Sequence, residues 1–324
     1  MGSPLRLTVL QEGPSSTGRS TAEADADADA AWLATVTVFE AAEAAMSRFR
    51  DTSELTLINR AVVEAVERGD QPGFVRPTPM LRRALVAADR AHRSTAGRFD
   101  PRVIGDLDRL GYRGAALATD GEAARTAPIM RPDPLPVIVR HGRDELRLPR
   151  PVDLGGIGKG LTLRWAADAI RSHGIEAFLL EAGGDIVASG VGPDDDAWSL
   201  GIEDPAEREP HVVTAAVTDA AVATSSIAVN RWTSGDRTVH HLIDPWTGEP
   251  ADTGLLSVTV SGPDPAWAEV WSKVLFLSGR TTIASEARSR GLAAWWVTDD
   301  RSLEMTPAAR SLTTWVASEA GRSG

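Results

Sequence analysis

Cysteine is absent from this 324-residue chain, which excludes disulfides, thiolate nucleophiles and Cys-ligated metals. Long apolar runs are also missing. No stretch approaches the ~18 uninterrupted apolar residues of a membrane-spanning helix, so no membrane insertion is expected. A basic excess is lacking as well: the formal net charge is −11, whereas a nucleic-acid partner calls for a basic footprint. The start, MGSPLRLTVLQEG, has no basic segment followed by an apolar run. With no cysteine, no lipoprotein anchor is expected, and the expected location is the cytoplasm. Tyrosine occurs once against ten tryptophans, and tryptophan reads first as core and cleft lining. Lysine is scarcest among the cations: of 34 Lys plus Arg, only Lys159 and Lys273 are lysine. Chance is the plain account of two such survivors. The functional account is that a compact ammonium does something there that a planar guanidinium cannot.

What is present describes a folded protein, with 42% hydrophobic and 24% charged residues. The stretch LRLTVL reads as a strand, a Gly/Ser/Thr/Pro loop covers 12–21, and AEADADADAAWLATVTVFEAAEAAMSRFR reads as a long helix. Thr52 or Ser53 can cap the next helix, and TPMLRRALVAADRAHRSTAG is a further one, opened by Thr78-Pro79 and closed by Gly97. One domain over 1–324 is expected: a helix-rich part to about 117, a Pro-rich connection at 118–137, and a sheet-rich part at about 138–318. In the last, PVIVRHGRDELRLP reads as a hairpin and GLTLRWAADAIRSH as a helix ending at Gly174. Short strands then crowd together, TVHHLID among them, which predicts an α+β fold built on antiparallel sheet.

The stretch DLGGIGKG at 153–160 resembles two phosphate-binding motifs and satisfies neither. A P-loop needs a glycine where Asp153 stands and a hydroxyl residue where Gly160 stands; the dinucleotide fingerprint needs G-x-G-x-x-G, not G-x-G-x-G. Its glycines still let backbone approach a ligand, with amides free to point at it, and the helix that follows favours anions at its N-terminus. A tight turn is the plainer reading. In EAGGDIVASG, Asp185 can bind a cation, a ribose hydroxyl or an adenine amine, although Gly-Gly-Asp is also a good turn between strands. A third stretch groups Thr224, Ser225, Ser226, His240, His241, Asp244 and Thr247. Adjacent strand residues face opposite ways, so only one of the two histidines enters a given site.

In this order, MSRFRDTSELTLINR, GRFDPRV, VDLGGIGKG, LEAGGDIVASG, AVATSS and HLIDPWTGEP resemble the segments of the ApbE family, the FAD:protein FMN transferases. The resemblance implies an ApbE-like (T-fold-like) fold, with antiparallel sheets flanked by helices and an FAD cleft between two parts of the molecule. It implies cleavage of FAD and transfer of FMN to a Thr or Ser hydroxyl of an acceptor protein, with AMP released. A non-catalytic FAD-binding protein and an FAD pyrophosphatase giving FMN and AMP are the alternatives. Lys159, His241 and Asp244 are the implied catalytic residues, with His241 as proton acceptor. FAD binding is implied for Asn59, Asp100, Gly155, Gly156, Lys159, Glu181, Gly183, Gly184, Asp185, Thr224, Ser225, His241, Asp244 and Thr247. Trp232 and Trp246 can stack on flavin or adenine, or simply pack.

The family's Mg²⁺ ligands put the resemblance under strain. They imply the Gly158 backbone carbonyl and, on the helix AWAEVWSKVLF, an Asp and a Thr four residues apart; here those positions hold Glu269 and Lys273. Glutamate can ligate a metal; an ammonium has no acceptor. In one reading Glu269 and Lys273 are an ordinary i,i+4 pair worth ~0.2–0.5 kcal/mol, set apart from a buried stripe of Trp267, Val270, Trp271, Val274 and Leu275. In the other, the Lys273 ammonium takes the place of the ion. Further departures are Gly158 for an alanine, Arg164 for an aspartate, Ser226 for a glycine and Trp246 for an arginine. Metal dependence is therefore expected to be altered or lost.

Overall fold

A computed structural model describes residues 4–10, 21–112, 138–140, 144–193, 196–206 and 210–317. Strand β1 (Leu5–Val9) precedes the long helix α1 (Thr21–Met46). Helices α2 (Glu54–Glu67) and α3 (Pro79–Ser94) follow, then a 3₁₀ turn (Pro101–Val103) that runs into α4 (Ile104–Arg109). The hairpin of β2 (Ile138–Arg140) and β3 (Glu145–Arg147) leads to α5 (Gly158–Ser172). Next come β4 (Phe178–Ala182), β5 (Asp185–Ser189), β6 (Trp198–Ile202), β7 (Val213–Val217), β8 (Ala220–Ser226), β9 (Arg231–Ser234), β10 (Arg237–His240) and β11 (Leu255–Gly262). Helices α6 (Pro265–Ser278) and α7 (Ile283–Ser289), strands β12 (Ala293–Thr298) and β13 (Leu303–Met305), α8 (Pro307–Leu312) and β14 (Thr313–Val316) close the order. The fold is α+β with antiparallel sheets. The expected connection at 118–137 lies outside the described residues.

Two compact units are built from interleaved segments. One, the helical unit, gathers the described residues of Ala41–Gly158 and Ile227–Asp252; the other, the sheet unit, gathers those of Ser3–Glu40, Lys159–Ser226 and Thr253–Gly324. The chain passes from the first to the second inside the glycine-rich stretch, between Gly158 and Lys159.

The sheet unit is organised by an antiparallel sheet in the order β1-β4-β5-β8-β11-β12-β13. Alternation writes its inner face: Phe178, Leu180 and Ala182 of β4 are buried, while Leu179 and Glu181 are less so. Leu163, Ala166, Ala167 and Ile170 of α5, recurring at helical spacing, pack against that face. Helix α6 packs on β8 and β11. It begins where Asp264 accepts the amides of Ala266 and Trp267 at 2.9 and 3.1 Å, with Pro265 in the first turn. In the helical unit Ser53 caps α2 and Thr78 caps α3, and Leu55, Ile58, Asn59, Val62 and Ala65 give α2 one buried face.

Some elements depart from expectation. The strand read through TVHHLID stops at His240, where the Leu242 amide donates back to His240 Nδ1 at 3.3 Å. The long N-terminal helix ends at Met46, four residues before Arg50. Strands β9, β13 and β14 and helix α8 were not anticipated, because runs of three to six residues are too short to display a period.

Candidate functional site

In the sheet unit the site grows from two turns. Ala182 and Asp185 pair across a hairpin whose two-residue loop is Gly183-Gly184, with φ of +56° and +85°. Glycine, lacking a Cβ, adopts both values at no steric cost, and the tight turn fixes Asp185 as the first residue of β5. At the start of α5, Lys159 Nζ lies 2.9 Å from Asp185 Oδ2 and donates to the Gly183 carbonyl at 3.4 Å. The other Asp185 oxygen accepts the Thr224 amide at 3.2 Å. The Asp185 side chain is 4% exposed and that of Lys159 is 27% exposed. Burial opposes the charge on Lys159, but the carboxylates of Asp185 and Glu269 outweigh it and raise the ammonium's pKa.

Glu269 lies beside this pair and not on the surface. It is 6% exposed, and its Oε2 accepts the Gly160 amide at 2.7 Å. Burial, with the negative charge of Asp185 added, pushes its pKa up to about 7, against the opposing pull of Lys273, Lys159 and the Gly160 amide. Ser272 donates to the Glu269 carbonyl and shares a 2.9 Å hydrogen bond with Ser225 Oγ. Thr224 Oγ1 meets Thr259 Oγ1 at 2.9 Å.

These contacts correct the surface-pair reading of α6. Its buried face includes Ala266, Ala268, Glu269, Val270 and Ser272 together with Val274 and Leu275, whereas Trp267 and Trp271 are half-buried. The Trp271 ring is instead covered by Arg290, whose guanidinium carbon stands 4.2 Å from the ring centroid. Gly160 explains the close approach of α5 to α6: a Cβ there would stand 2.4 Å from the Pro265 carbonyl oxygen and 2.6 Å from Ala266 Cα. Glu181, by contrast, faces Arg6 across the β1–β4 pair, 3.6 Å away.

The helical unit uses its expected site residues to shape backbone. Asn59 is buried and clamps Val152 from both sides, donating to its carbonyl at 2.7 Å and accepting its amide at 3.0 Å. Asp100 caps the 3₁₀ turn through the Arg102 amide at 2.8 Å and grips the Arg102 guanidinium at 2.7–3.1 Å. Burial alone would raise the Asp100 pKa; its bonds to Arg102 outweigh that and hold it below the usual carboxylate value. The Pro101 carbonyl accepts the Asp153 amide at 2.6 Å, and Asp153 Oδ1 accepts that of Gly155 at 2.9 Å. Gly158 donates its amide to Leu154 at 2.7 Å. The amides of Gly155, Gly158 and Gly160 are thus all engaged within the protein, contrary to the expectation that they point at a ligand. Gly156 is half-buried beside them.

Asp244 organises the DPWTGEP turn. It accepts Arg98 Nη1 on both oxygens at 3.1 and 3.2 Å and the Trp246 amide at 2.9 Å. Trp246 is 69% exposed, with the Arg98 guanidinium carbon 4.0 Å from its ring centroid. Thr247 is exposed and accepts the Glu249 amide at 3.2 Å. His241 lies just past β10, its ring stacked toward Tyr112 with centroids 6.3 Å apart. Burial, with the Asp153 carboxylate adding, pushes the Tyr112 hydroxyl up to about 12. Trp232 packs in the core and donates to the Leu110 carbonyl at 2.6 Å. Ser272 and Arg98 escaped sequence reasoning; nothing in a lone serine or arginine marks it as the partner of a distant carboxylate or hydroxyl.

The residues of the sheet unit do not fit a Mg²⁺ ion. Such an ion demands a nearly octahedral shell of oxygens. Here Asp185 is bound to an ammonium, Glu269 to an amide, and Lys273 supplies donors without a lone pair. No helix among the described residues is long and apolar enough to cross a membrane.

Known proteins resemble this chain in sequence and in fold. The model of the ApbE family matches residues 1–296. An FAD:protein FMN transferase of Klebsiella pneumoniae is 30% identical over 167 residues, which are 50% of this chain and 48% of that protein. The chain thus spans about half the length of this relative. An FAD:protein FMN transferase of Treponema pallidum is 29% identical over 276 residues, 78% of this chain and 73% of that protein. The solved structure of the flavin transferase ApbE from Vibrio cholerae superposes with a TM-score of 0.71 at 23% identity, covering 96% of both chains, which is a likeness of fold. The chain belongs to the ApbE family.

Proposed function

We propose that this protein cleaves FAD and transfers its FMN part to a threonine or serine hydroxyl of an acceptor protein, releasing AMP. The observation that carries this reading is the Lys159–Asp185 pair, an ammonium fixed at the opening of α5 by a buried carboxylate on a Gly-Gly turn. Membership of the ApbE family supports it, as do the curated relatives named for this reaction. The acceptor oxygen attacks the FMN-side phosphorus, a new P–O bond forms, and the bond from that phosphorus to the bridging oxygen breaks. The bridging oxygen leaves with AMP. Such phosphoryl transfer depends on positioning and charge neutralisation more than on covalent help from the protein. Lys159 supplies positive charge to the pyrophosphate, and His241 takes the hydroxyl proton. Asp244 acts by holding the turn that follows His241, since its carboxylate is occupied by Arg98 and the Trp246 amide. Asn59 and Asp100 serve through the backbone they fix.

The test is chromatography of FAD, FMN and AMP after incubation with the purified chain and a protein extract. AMP release with flavin bound covalently to a protein is the expected result. AMP with equimolar free FMN, even in the presence of acceptor proteins, would make the protein a pyrophosphatase; FAD bound and intact throughout would make it a carrier.

A further inference from the structure

The charges of the sheet-unit cluster are layered. Its anions lie at the bottom, where Asp185 is 4% and Glu269 6% exposed. Its cations lie nearer the surface: the Lys159 side chain is 27% exposed and Lys273 is half-buried. The anions are satisfied from within, Asp185 by Lys159 and the Thr224 amide, Glu269 by the Gly160 amide. Lys273 stands one helical turn beyond Glu269 on the same side of α6, near enough for its charge to act on that carboxylate. These two ammoniums are the only lysines in the chain.

An approaching ligand therefore meets ammonium before carboxylate. A phosphate anion finds donors there. A divalent cation finds like charge, and behind it carboxylates that are already engaged. We propose that this cluster binds the pyrophosphate of FAD through the ammoniums of Lys159 and Lys273, with no divalent cation between protein and ligand. The inference rests on the flavin-transfer reading and deepens it by assigning the counter-charge to the chain itself. Lysine suits this position better than arginine. Its compact ammonium has three donors on a flexible stem, so it can serve a buried carboxylate and a phosphate oxygen together.

The experiment is FAD binding, read from the initial quench of flavin fluorescence on mixing with the full chain, in EDTA and in excess Mg²⁺. The expected result is an affinity that agrees between the two conditions within about twofold, and a K273M variant that binds about tenfold more weakly in both, a loss equivalent to about 1.4 kcal/mol. Wild-type affinity that rises about tenfold or more on adding Mg²⁺ overturns the inference, as does K273M binding as tightly as wild type in EDTA. Should K273M fail to fold, the wild-type comparison decides alone. A folded wild-type chain that binds FAD in neither condition overturns the flavin reading itself, and this inference with it.

Discussion

In the helical unit, Asp100 is gripped by Arg102 through the guanidinium and the amide of the same residue, and both side chains are buried. In the sheet unit, Asp185 is held by Lys159, a single ammonium that remains partly exposed. Both carboxylates are buried and paired, but the pairs do different things. The guanidinium fork is used up in fixing one turn, a task for which rigid, bidentate geometry is suited. The ammonium uses two contacts, Asp185 and Gly183, and its side chain remains 27% exposed. On the proposed reading, this chain, which uses arginine nearly everywhere, has lysine where a charge is shared between carboxylate and ligand.

The largest effect that would sharpen this contrast is structural. R102M leaves the Asp100 carboxylate buried without its partner, and it is expected to destabilise the helical unit by about 3–5 kcal/mol in a urea titration. A loss below about 1 kcal/mol, the scale of an exposed pair, would break the comparison. Next comes K159M. It is expected to lower the rate of AMP release about 10²–10³-fold, the scale of removing one preorganised donor from a phosphoryl or acyl transition state. Unchanged turnover would reduce Lys159 to a structural partner of Asp185.

A third prediction sets two glycines of the same stretch against each other. G160A forces a Cβ against the backbone of Pro265 and Ala266 and should cost about 1–3 kcal/mol. For G158A the nearest atoms to the new Cβ are Leu154 Cβ at 3.7 Å and Met46 Cε at 4.0 Å, and stability should stay within about 0.5 kcal/mol of wild type. Thermal melts of the two variants check both values. The smallest effect concerns acid. Asp100 titrates below its unfolded value of about 3.9, so between the two pKa values the unfolded chain binds more protons. The stability it contributes is present above the unfolded value and is lost as pH falls through the folded one. D100N should therefore show a shallower loss of stability below pH ~4 than wild type, measured by urea midpoints across that range.

Much of this was legible in the sequence, for identifiable reasons. Lys159 stood out by rarity. Alternation exposed the sheet strands, and Ser53, Thr78 and Pro79 announced their helices because capping is a local matter. What stayed hidden depended on neighbours distant in the chain. The two readings of Glu269, surface pair or site residue, are not separated by the sequence of α6, because the Gly160 amide that donates to it lies 109 positions earlier. The glycines of GGIGKG look equivalent in the sequence, yet Gly160 is the one pressed against the backbone of another helix. The two tryptophans of α6 read as its core stripe, whereas the helix turns smaller residues inward and leaves Trp271 beneath Arg290. Size and hydrophobicity alone do not choose which face of a helix is buried when both faces are covered.

The reaction that decides between ammonium and metal is AMP release from FAD by the purified chain with an acceptor-containing protein extract in EDTA, compared with the same mixture in excess Mg²⁺ and with the extract alone as blank. The account predicts that release continues in EDTA at a rate close to that with Mg²⁺, because Lys159 and Lys273 provide the positive charge. Release that stops in EDTA and returns with Mg²⁺ would contradict it.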